Sequence, residues 1–238
     1  RQPGRNLDVL IKYRNDKRYL SVGNMLDKEN KAIYGLEFSY ETIPNELNLF
    51  DYDAFKAYKG DFYCVVTNLL TCEAEYMKYT GEDRTNTVLK ATCALPMLFP
   101  PIIINDTPYM DGGLTDSIPF MRALEDGCDR VLVVLTREAG YTKTTSTSTK
   151  AIARYYEKEY PKLSEVMLSR AERYNECLKQ LKEYEDSGKV MVIRPAVSKG
   201  FSRLEKDKNK ILSMYNDGYN QGYALTGDIK KFFNYSNS

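Results

Sequence analysis

The sequence contains no histidine and no tryptophan among its 238 residues. Without histidine, a Ser-His-Asp triad cannot form within these residues, and a histidine-ligated metal site is excluded as well. No apolar run reaches the ~18 residues that a membrane-spanning helix needs. We therefore expect no transmembrane segment, no metal and no cofactor.

The sequence also lacks an excess of either charge, since it contains 34 Lys and Arg residues and 33 Asp and Glu residues. A protein that follows a phosphate backbone normally carries a clear basic excess. The 20 tyrosines are scattered along the chain and form no pattern suited to stacking bases. The composition thus argues against a nucleic-acid partner.

The cysteines are few, odd in number and without a C-x-x-C pair, which speaks against a zinc site or a disulfide framework. They are Cys64, Cys72, Cys93, Cys128 and Cys177. Because Cys64, Cys93 and Cys128 lie in apolar surroundings, we predict that they are small buried side chains. A reducing compartment follows, and we expect a cytoplasmic protein.

The hydrophobic pattern predicts an α/β protein with a single domain over residues 1–238. Apolar runs predict buried strands at 61–68, 131–136 and 190–195, and a partly exposed strand begins within 71–80. The predicted helices are about 6–14, 87–93, 164–186 and 203–234. Residues 142–150 are rich in Thr, Ser and Lys, and we interpret them as a mobile loop. Strands that alternate with helices favour a largely parallel sheet with helical cover.

Asp111-Gly112-Gly113 is the motif in this sequence with the clearest chemical content. It follows a β-branched run and a turn, so Asp111 is predicted at a strand end, where open α/β sheets place their ligands. Ser117 and Pro119 suggest that a helix begins just after it. Asp-Gly is also a common turn sequence, so a purely structural role for Asp111 stays open.

The surroundings of that motif carry a resemblance to a known family. The segment Ala91-Thr92-Cys93-Ala94-Leu95-Pro96-Met97-Leu98-Phe99-Pro100-Pro101 precedes Tyr109-Met110-Asp111-Gly112-Gly113 and Asp116-Ser117-Ile118-Pro119. This arrangement resembles the patatin-like phospholipases, in which Ala-Ser-x-x-x-Pro-x-x-Phe-Pro precedes an Asp-Gly-Gly or Asp-Gly-Ala motif with the catalytic aspartate. The resemblance is specific over about residues 60–140, and Val192-Ile193-Arg194-Pro195 still fits it loosely.

The resemblance implies a three-layer α/β/α fold with a largely parallel central sheet and a Ser-Asp dyad that hydrolyses lipid or small acyl esters. Asp111 would be the general base, and Gly112 and Gly113 would shape its turn. The serine would lie on a G-x-S-x-G elbow, with a glycine-rich loop that supports the oxyanion. Because an ordinary aspartate with a pKa of ~3.9 is a weak base, we expect its site to be partly desolvated.

The sequence departs from the family in having neither a G-x-S-x-G motif nor a glycine-rich oxyanion loop. Tyr19-Leu20-Ser21-Val22-Gly23 lacks the first glycine and follows no buried strand, so we reject Ser21 as the nucleophile. We expect both missing elements to lie upstream, which would make residues 1–238 an N-terminally truncated patatin-like domain that is inactive alone.

Two alternatives to a hydrolase follow from the same residues. The first is a non-catalytic α/β lipid-binding or interaction module, in which Asp111 only shapes a turn. The second is a nucleotide-binding α/β domain, which lacks any G-x-G-x-x-G or P-loop motif. Residues 142–150 could also touch lipid head groups in a peripheral membrane contact, although a connector is their default interpretation.

Overall fold

The computed structural model describes Gln2 and residues 4–197, 200–202 and 204–234. The α-helices there are α1 (Arg5–Tyr13), α2 (Val22–Leu26), α3 (Tyr52–Lys56), α4 (Thr87–Thr92), α5 (Phe120–Glu125), α6 (Thr147–Tyr156), α7 (Pro161–Asp186), α8 (Lys208–Ala224) and α9 (Thr226–Phe232). The strands are β1 (Tyr63–Asn68), β2 (Ala74–Lys78), β3 (Ile102–Ile104), β4 (Thr107–Asp111), β5 (Val131–Val134) and β6 (Val190–Ile193). A π-helical segment spans Phe38–Leu47, and a 3-10 turn spans Gly112–Leu114.

The chain divides into two compact units. The first unit contains the residues up to Ser117 together with Thr145–Arg170, and the second contains Ile118–Thr144 and the residues from Ala171 onward. Helix α7 therefore begins in the first unit and ends in the second. The single domain expected from the sequence stays a prediction.

The first unit contains a four-stranded sheet in the order β2-β1-β4-β3, and every neighbouring pair in it is antiparallel. The prediction of a largely parallel central sheet is therefore wrong. Two hairpins are the physical reason. Strands β3 and β4 are joined by Asn105 and Asp106, both with positive φ, which is the backbone of a tight two-residue hairpin. Strands β1 and β2 are joined by five residues in which Cys72 has a φ of 60°.

Helices cover both faces of this sheet. Tyr109 and Met110 are successive residues of β4, so their side chains leave opposite faces. Tyr109 is buried in one cluster with Val66 and with Ala91 of α4. Met110 is buried in another cluster to which α6 and the beginning of α7 contribute. The helix–sheet–helix layering is thus present, although the sheet is antiparallel.

The second unit holds the parallel part of the molecule. Strands β5 and β6 pair in parallel, with Val131 opposite Val190 and Val134 opposite Ile193. Phe120, Val133 and Leu181 are buried together in its core, so α5, β5 and α7 pack against one another. The strands predicted at 131–136 and 190–195 and the long helix between them are confirmed.

Two predicted segments differ from the structure. Residues 147–150 begin α6 instead of continuing a loop, because Ser146 caps that helix by accepting a hydrogen bond from the backbone N–H of Thr149. The single last helix is divided into α8 and α9 at Leu225, and Arg203, its predicted first residue, lies outside the described residues. Within the described part of the chain, no helix has the length and hydrophobicity needed to cross a membrane.

Candidate active site around Asp111

Asp111 is the last residue of β4, so the strand end predicted for it is confirmed. Its backbone N–H donates to the carbonyl oxygen of Ala94 at 2.9 Å, and its carbonyl oxygen accepts from the Thr67 hydroxyl at 2.9 Å. Thr67 is fully buried on β1, and its hydroxyl also pairs with that of Thr115. The backbone of Asp111 is therefore fixed from both sides by buried neighbours.

The Asp111 carboxylate is held by its own turn. Its Oδ1 atom accepts a hydrogen bond of 2.7 Å from the backbone N–H of Gly113, and Asp111 is the N-cap residue of the 3-10 turn. The side chain is half-buried, in keeping with the partial desolvation expected of a general base. This cap is a structural role, and it exists whether or not Asp111 performs chemistry.

The two glycines after Asp111 meet different steric limits. A Cβ atom at residue 112 would lie 2.2 Å from the carbonyl oxygen of Val65, a distance no side chain tolerates. At residue 113 a Cβ atom would lie 3.0 Å from Oδ1 of Asp111 and 3.2 Å from a terminal nitrogen of Arg170. Gly112 lets the turn approach β1, and Gly113 lets a carboxylate and a guanidinium approach the same point.

Residues that follow the motif hold the turn in place. The carbonyl oxygen of Gly113 accepts hydrogen bonds from the Ser117 hydroxyl at 2.7 Å and from Nε of Arg170 at 2.5 Å. Asp116 accepts a hydrogen bond of 2.7 Å from the hydroxyl of Tyr76 on β2. Helix α5 begins after Pro119 without a side-chain cap, so the suggestion that Ser117 starts this helix as its cap is wrong. Both side chains orient the loop instead.

Helix α4 lies beside the motif and carries the Ala91-Thr92-Cys93 segment. The Thr92 hydroxyl donates to the carbonyl oxygen of Val65 at 2.6 Å, which ties the helix end to β1. This carbonyl is the one that Gly112 approaches. A threonine where the family often has a serine therefore makes a structural hydrogen bond here.

Cys93 and Cys128 are exposed, so the prediction that they are buried side chains is wrong, whereas Cys64 is buried as predicted. Both residues follow a helix end, where the chain turns at the surface: Cys93 is the C-cap of α4, and Cys128 comes two residues after the C-cap of α5. A local apolar sequence does not reveal such a turn.

Cys93, the C-cap of α4, carries a thiol that is influenced by the charge of Asp111. Part of its side chain meets solvent, yet protein atoms surround it, and this burial raises the pKa of the thiol. A hydrogen bond with the Tyr40 hydroxyl lowers that pKa, and the charge of Asp111 raises it. Cys93 is therefore a protonated thiol at neutral pH and a poor nucleophile.

Other polar candidates in the sequence have structural roles. The Ser21 hydroxyl caps α2 by accepting from the backbone N–H of Gly23 at 3.0 Å, in line with its rejection as nucleophile. Asp51 caps α3 in the same way. Asp83 accepts hydrogen bonds from Thr85 and from the first N–H of α4.

Sequence reasoning missed Arg170, Thr67 and Tyr40. Arg170 is 57 residues from Gly113, and Thr67 is 44 residues from Asp111. No local pattern marks them, because each contact depends on how the chain folds back. One signal was available in the sequence. On the predicted helix 164–186, Arg170 lies about one turn after Met167, on the face that carries apolar residues and therefore packs against the rest of the protein.

Comparison with known families divides the chain in two. Residues 9–124 match the model of patatin-like phospholipases, and residues 160–234 match a domain of unknown function (DUF6363). No curated protein matches the chain. The loose resemblance of residues 192–195 to patatins falls within the second match, so the patatin-like part is the N-terminal one. Residues 9–124, just under half of the chain, are therefore similar to the patatin-like phospholipases.

Proposed function

We propose that this chain provides the general base of a serine acyl hydrolase acting on lipid or small acyl esters, with Asp111 as that base. The observation that carries the proposal is the fixed position of Asp111 at the end of β4. Its backbone is bonded on both sides, its carboxylate accepts from Gly113, and a cation from α7 lies nearby. The similarity of residues 9–124 to the patatin-like phospholipases supports the same assignment.

In the proposed reaction the Asp111 carboxylate accepts the proton of a serine hydroxyl while the serine oxygen attacks the ester carbonyl. The protonated Asp111 then gives this proton to the oxygen of the leaving alcohol, and the regenerated carboxylate accepts a proton from the water that hydrolyses the acyl-enzyme. A rigid, ionised carboxylate suits this task, because proton transfer requires the base to be charged and oriented before the substrate arrives. No G-x-S-x-G motif occurs in the 238 residues, and the proposal therefore places the serine on polypeptide outside them.

The alternative is a non-catalytic lipid-binding or interaction module. One observation favours it: Asp111 caps the 3-10 turn, and this alone would explain an acid at the position. Asparagine caps helical turns about as well as aspartate, but its side-chain amide cannot act as a base at neutral pH. The substitution Asp111→Asn therefore separates the two functions.

The test uses the protein that contains both these residues and the nucleophilic serine. We expect Asp111→Asn to lower kcat for a p-nitrophenyl ester by ~10²–10⁴, as loss of acid–base assistance does, without a change in thermal midpoint. Asp116→Asn is the matched control, because an amide oxygen can still accept from Tyr76. A kcat for Asp111→Asn near that of the parent would favour the non-catalytic module.

Residues 1–238 alone should hydrolyse the same ester no faster than buffer. Turnover by this chain that disappears in Ser21→Ala would show that the wrong serine was rejected. We also propose a cytoplasmic location, because the exposed thiols of Cys93 and Cys128 suit a reducing compartment.

A further inference from the structure

Arg170 connects the segment of unknown function to the Asp-Gly-Gly motif. It lies on α7, within residues 160–234, whereas the motif lies within the patatin-like residues 9–124. Its Nε atom donates to the carbonyl oxygen of Gly113 at 2.5 Å. The contact lies within the first compact unit, to which both residues belong.

The guanidinium of Arg170 also lies close to the proposed base. One of its terminal nitrogens is 3.2 Å from the point where a Cβ of Gly113 would stand, and Oδ1 of Asp111 is 3.0 Å from the same point. The cation and the carboxylate are thus within the ~6 Å over which an opposite charge stabilises an ionised carboxylate. The absence of a side chain at Gly113 leaves room for this approach.

The first turns of α7 are packed into the core, so the helix backbone that carries Arg170 is held in place. Leu163 and Met167 are buried in the same cluster as Met110 of β4 and Leu114 of the 3-10 turn. Residues 163, 167 and 170 recur at helical spacing, so they share one face of α7. The face that packs against the elements carrying Asp111 therefore presents Arg170 to the motif.

We infer that Arg170 is a positioning residue for Asp111, and that the domain of unknown function thereby completes the base of the patatin-like segment. Arg170 holds the Gly113 carbonyl while the Gly113 N–H holds Oδ1, so the glycine is clamped on both sides. Its positive charge also stabilises the ionised carboxylate, which opposes the effect of partial burial on the basicity of Asp111. This inference rests on the proposed function for its catalytic meaning, but not for its geometry.

The first test follows the titration of the Asp111 carboxyl carbon by NMR in the 238-residue chain. The other ionisable groups around the motif are Cys93 of α4, Tyr76 of β2 and Asp116, and they are unchanged in every variant. In Arg170→Gln we expect the Asp111 midpoint to move to higher pH, because the stabilising cation is lost. Lys179→Gln is the control, since it removes an exposed cation from the same helix, and its midpoint should equal that of the parent.

Arg170→Lys separates charge from geometry, and it also serves if Arg170→Gln does not fold. Lysine keeps the cation but lacks the planar fork of arginine. We expect a titration midpoint close to that of the parent, a displaced Gly113 amide resonance and, in the serine-containing protein, a kcat lowered ~10–100-fold by misplacement of the base. A purely structural arginine would lower the thermal midpoint and leave titration and kcat unchanged.

Two outcomes would overturn the inference. One is a folded Arg170→Gln in which Asp111 titrates as in the parent. The other is an Arg170→Lys in which the Gly113 resonance and kcat both match the parent. The titration needs no turnover, so it can be measured even if Asp111→Asn shows that Asp111 is not a general base. The proposed hydrolase function and the proposed role of Arg170 are therefore tested independently.

Discussion

The structure leaves no room for a side chain at residue 112, and the sequence has glycine there. Its Cα faces the carbonyl of Val65, and the same carbonyl accepts the Thr92 hydroxyl. The β1 backbone, the motif and the end of α4 thus meet around one oxygen atom. A side chain at residue 112 would push the turn away from β1 and take Asp111 with it.

We expect Gly112→Ala to lower the free energy of unfolding by about 1–3 kcal/mol, the range for overpacking a well-packed site. Urea unfolding of the purified chain measures this. The matched control is Gly222→Ala in α8, where an added Cβ meets nothing within 4 Å. That change should stabilise the protein by about 0.4–1 kcal/mol, because alanine loses less conformational freedom on folding. Equal midpoints for Gly112→Ala and the parent would contradict the close approach.

At the residue scale, the strand end, the acid and the glycine turn could be predicted, because they are local features of five consecutive residues. The partners of Asp111 could not. Thr67 contacts Asp111 from 44 residues away, and Arg170 contacts the neighbouring Gly113 from 57 residues away. A polar side chain in a strand or a helix gives no sign of which distant backbone atom it will contact.

Among the elements, α4 depends on an acid outside the helix for its beginning. Asn86, its N-cap residue, has a φ of 55° and makes no side-chain cap. Asp83 performs this role instead, since its Oδ2 atom accepts from the backbone N–H of Thr87 at 2.8 Å. The helix that bears Thr92 and Cys93 is therefore anchored at its start by one carboxylate.

The Asp83 anchor should be sensitive to acid. Burial raises the pKa of Asp83, but hydrogen bonds donated by Thr85 and Thr87 outweigh it and lower the pKa from 3.8 to about 2. Because the pKa of Asp83 is lower in the folded state, its ionised carboxylate stabilises the fold at pH values above the pKa of the unfolded chain. This contribution is lost as the pH falls from about 4 to about 2. The difference in urea midpoint between the parent and Asp83→Ala should shrink over that range. A difference that is constant with pH would contradict the ionic role.

The sheet shows why elements were easier to predict than their pairing. Strands β1, β2, β5 and β6 were expected from apolar runs, and their positions are confirmed within a few residues. Their direction was inferred from alternation with helices, which holds for β5 and β6 but fails for the first sheet. The turn at Asn105-Asp106 was expected, but its meaning for strand direction was not drawn: two residues that tolerate positive φ after a β-branched run favour a hairpin of antiparallel strands.

For the whole molecule, the family segments and the compact units have different boundaries. The patatin-like match ends at residue 124, yet the first unit omits residues 118–124 and takes in Thr145–Arg170. Ala153, Tyr156 and Leu163 of this returning stretch are buried in the core beneath β4. The core around the candidate site therefore draws on both parts of the chain.

A chain that ends at residue 124 should consequently lack a stable fold. It would expose Met110 and Leu114, and burial of one such side chain contributes about 1.5–3 kcal/mol. We expect weak near-ultraviolet circular dichroism and strong binding of a hydrophobic dye. The full 238-residue chain, which keeps α6, α7 and the β5–β6 pair, is the control. A cooperative thermal transition in the shorter chain would contradict this dependence.

Helix α7 has a consequence for inheritance. Its first turns complete the core and the proposed base of one segment, while its later turns form part of the other unit. A gene that lost the second segment would lose Arg170, Leu163 and Met167 together, and a recombination point inside the helix would divide one continuous element. Loss or exchange of the second segment alone would therefore open the core of the first and remove the contact with Gly113.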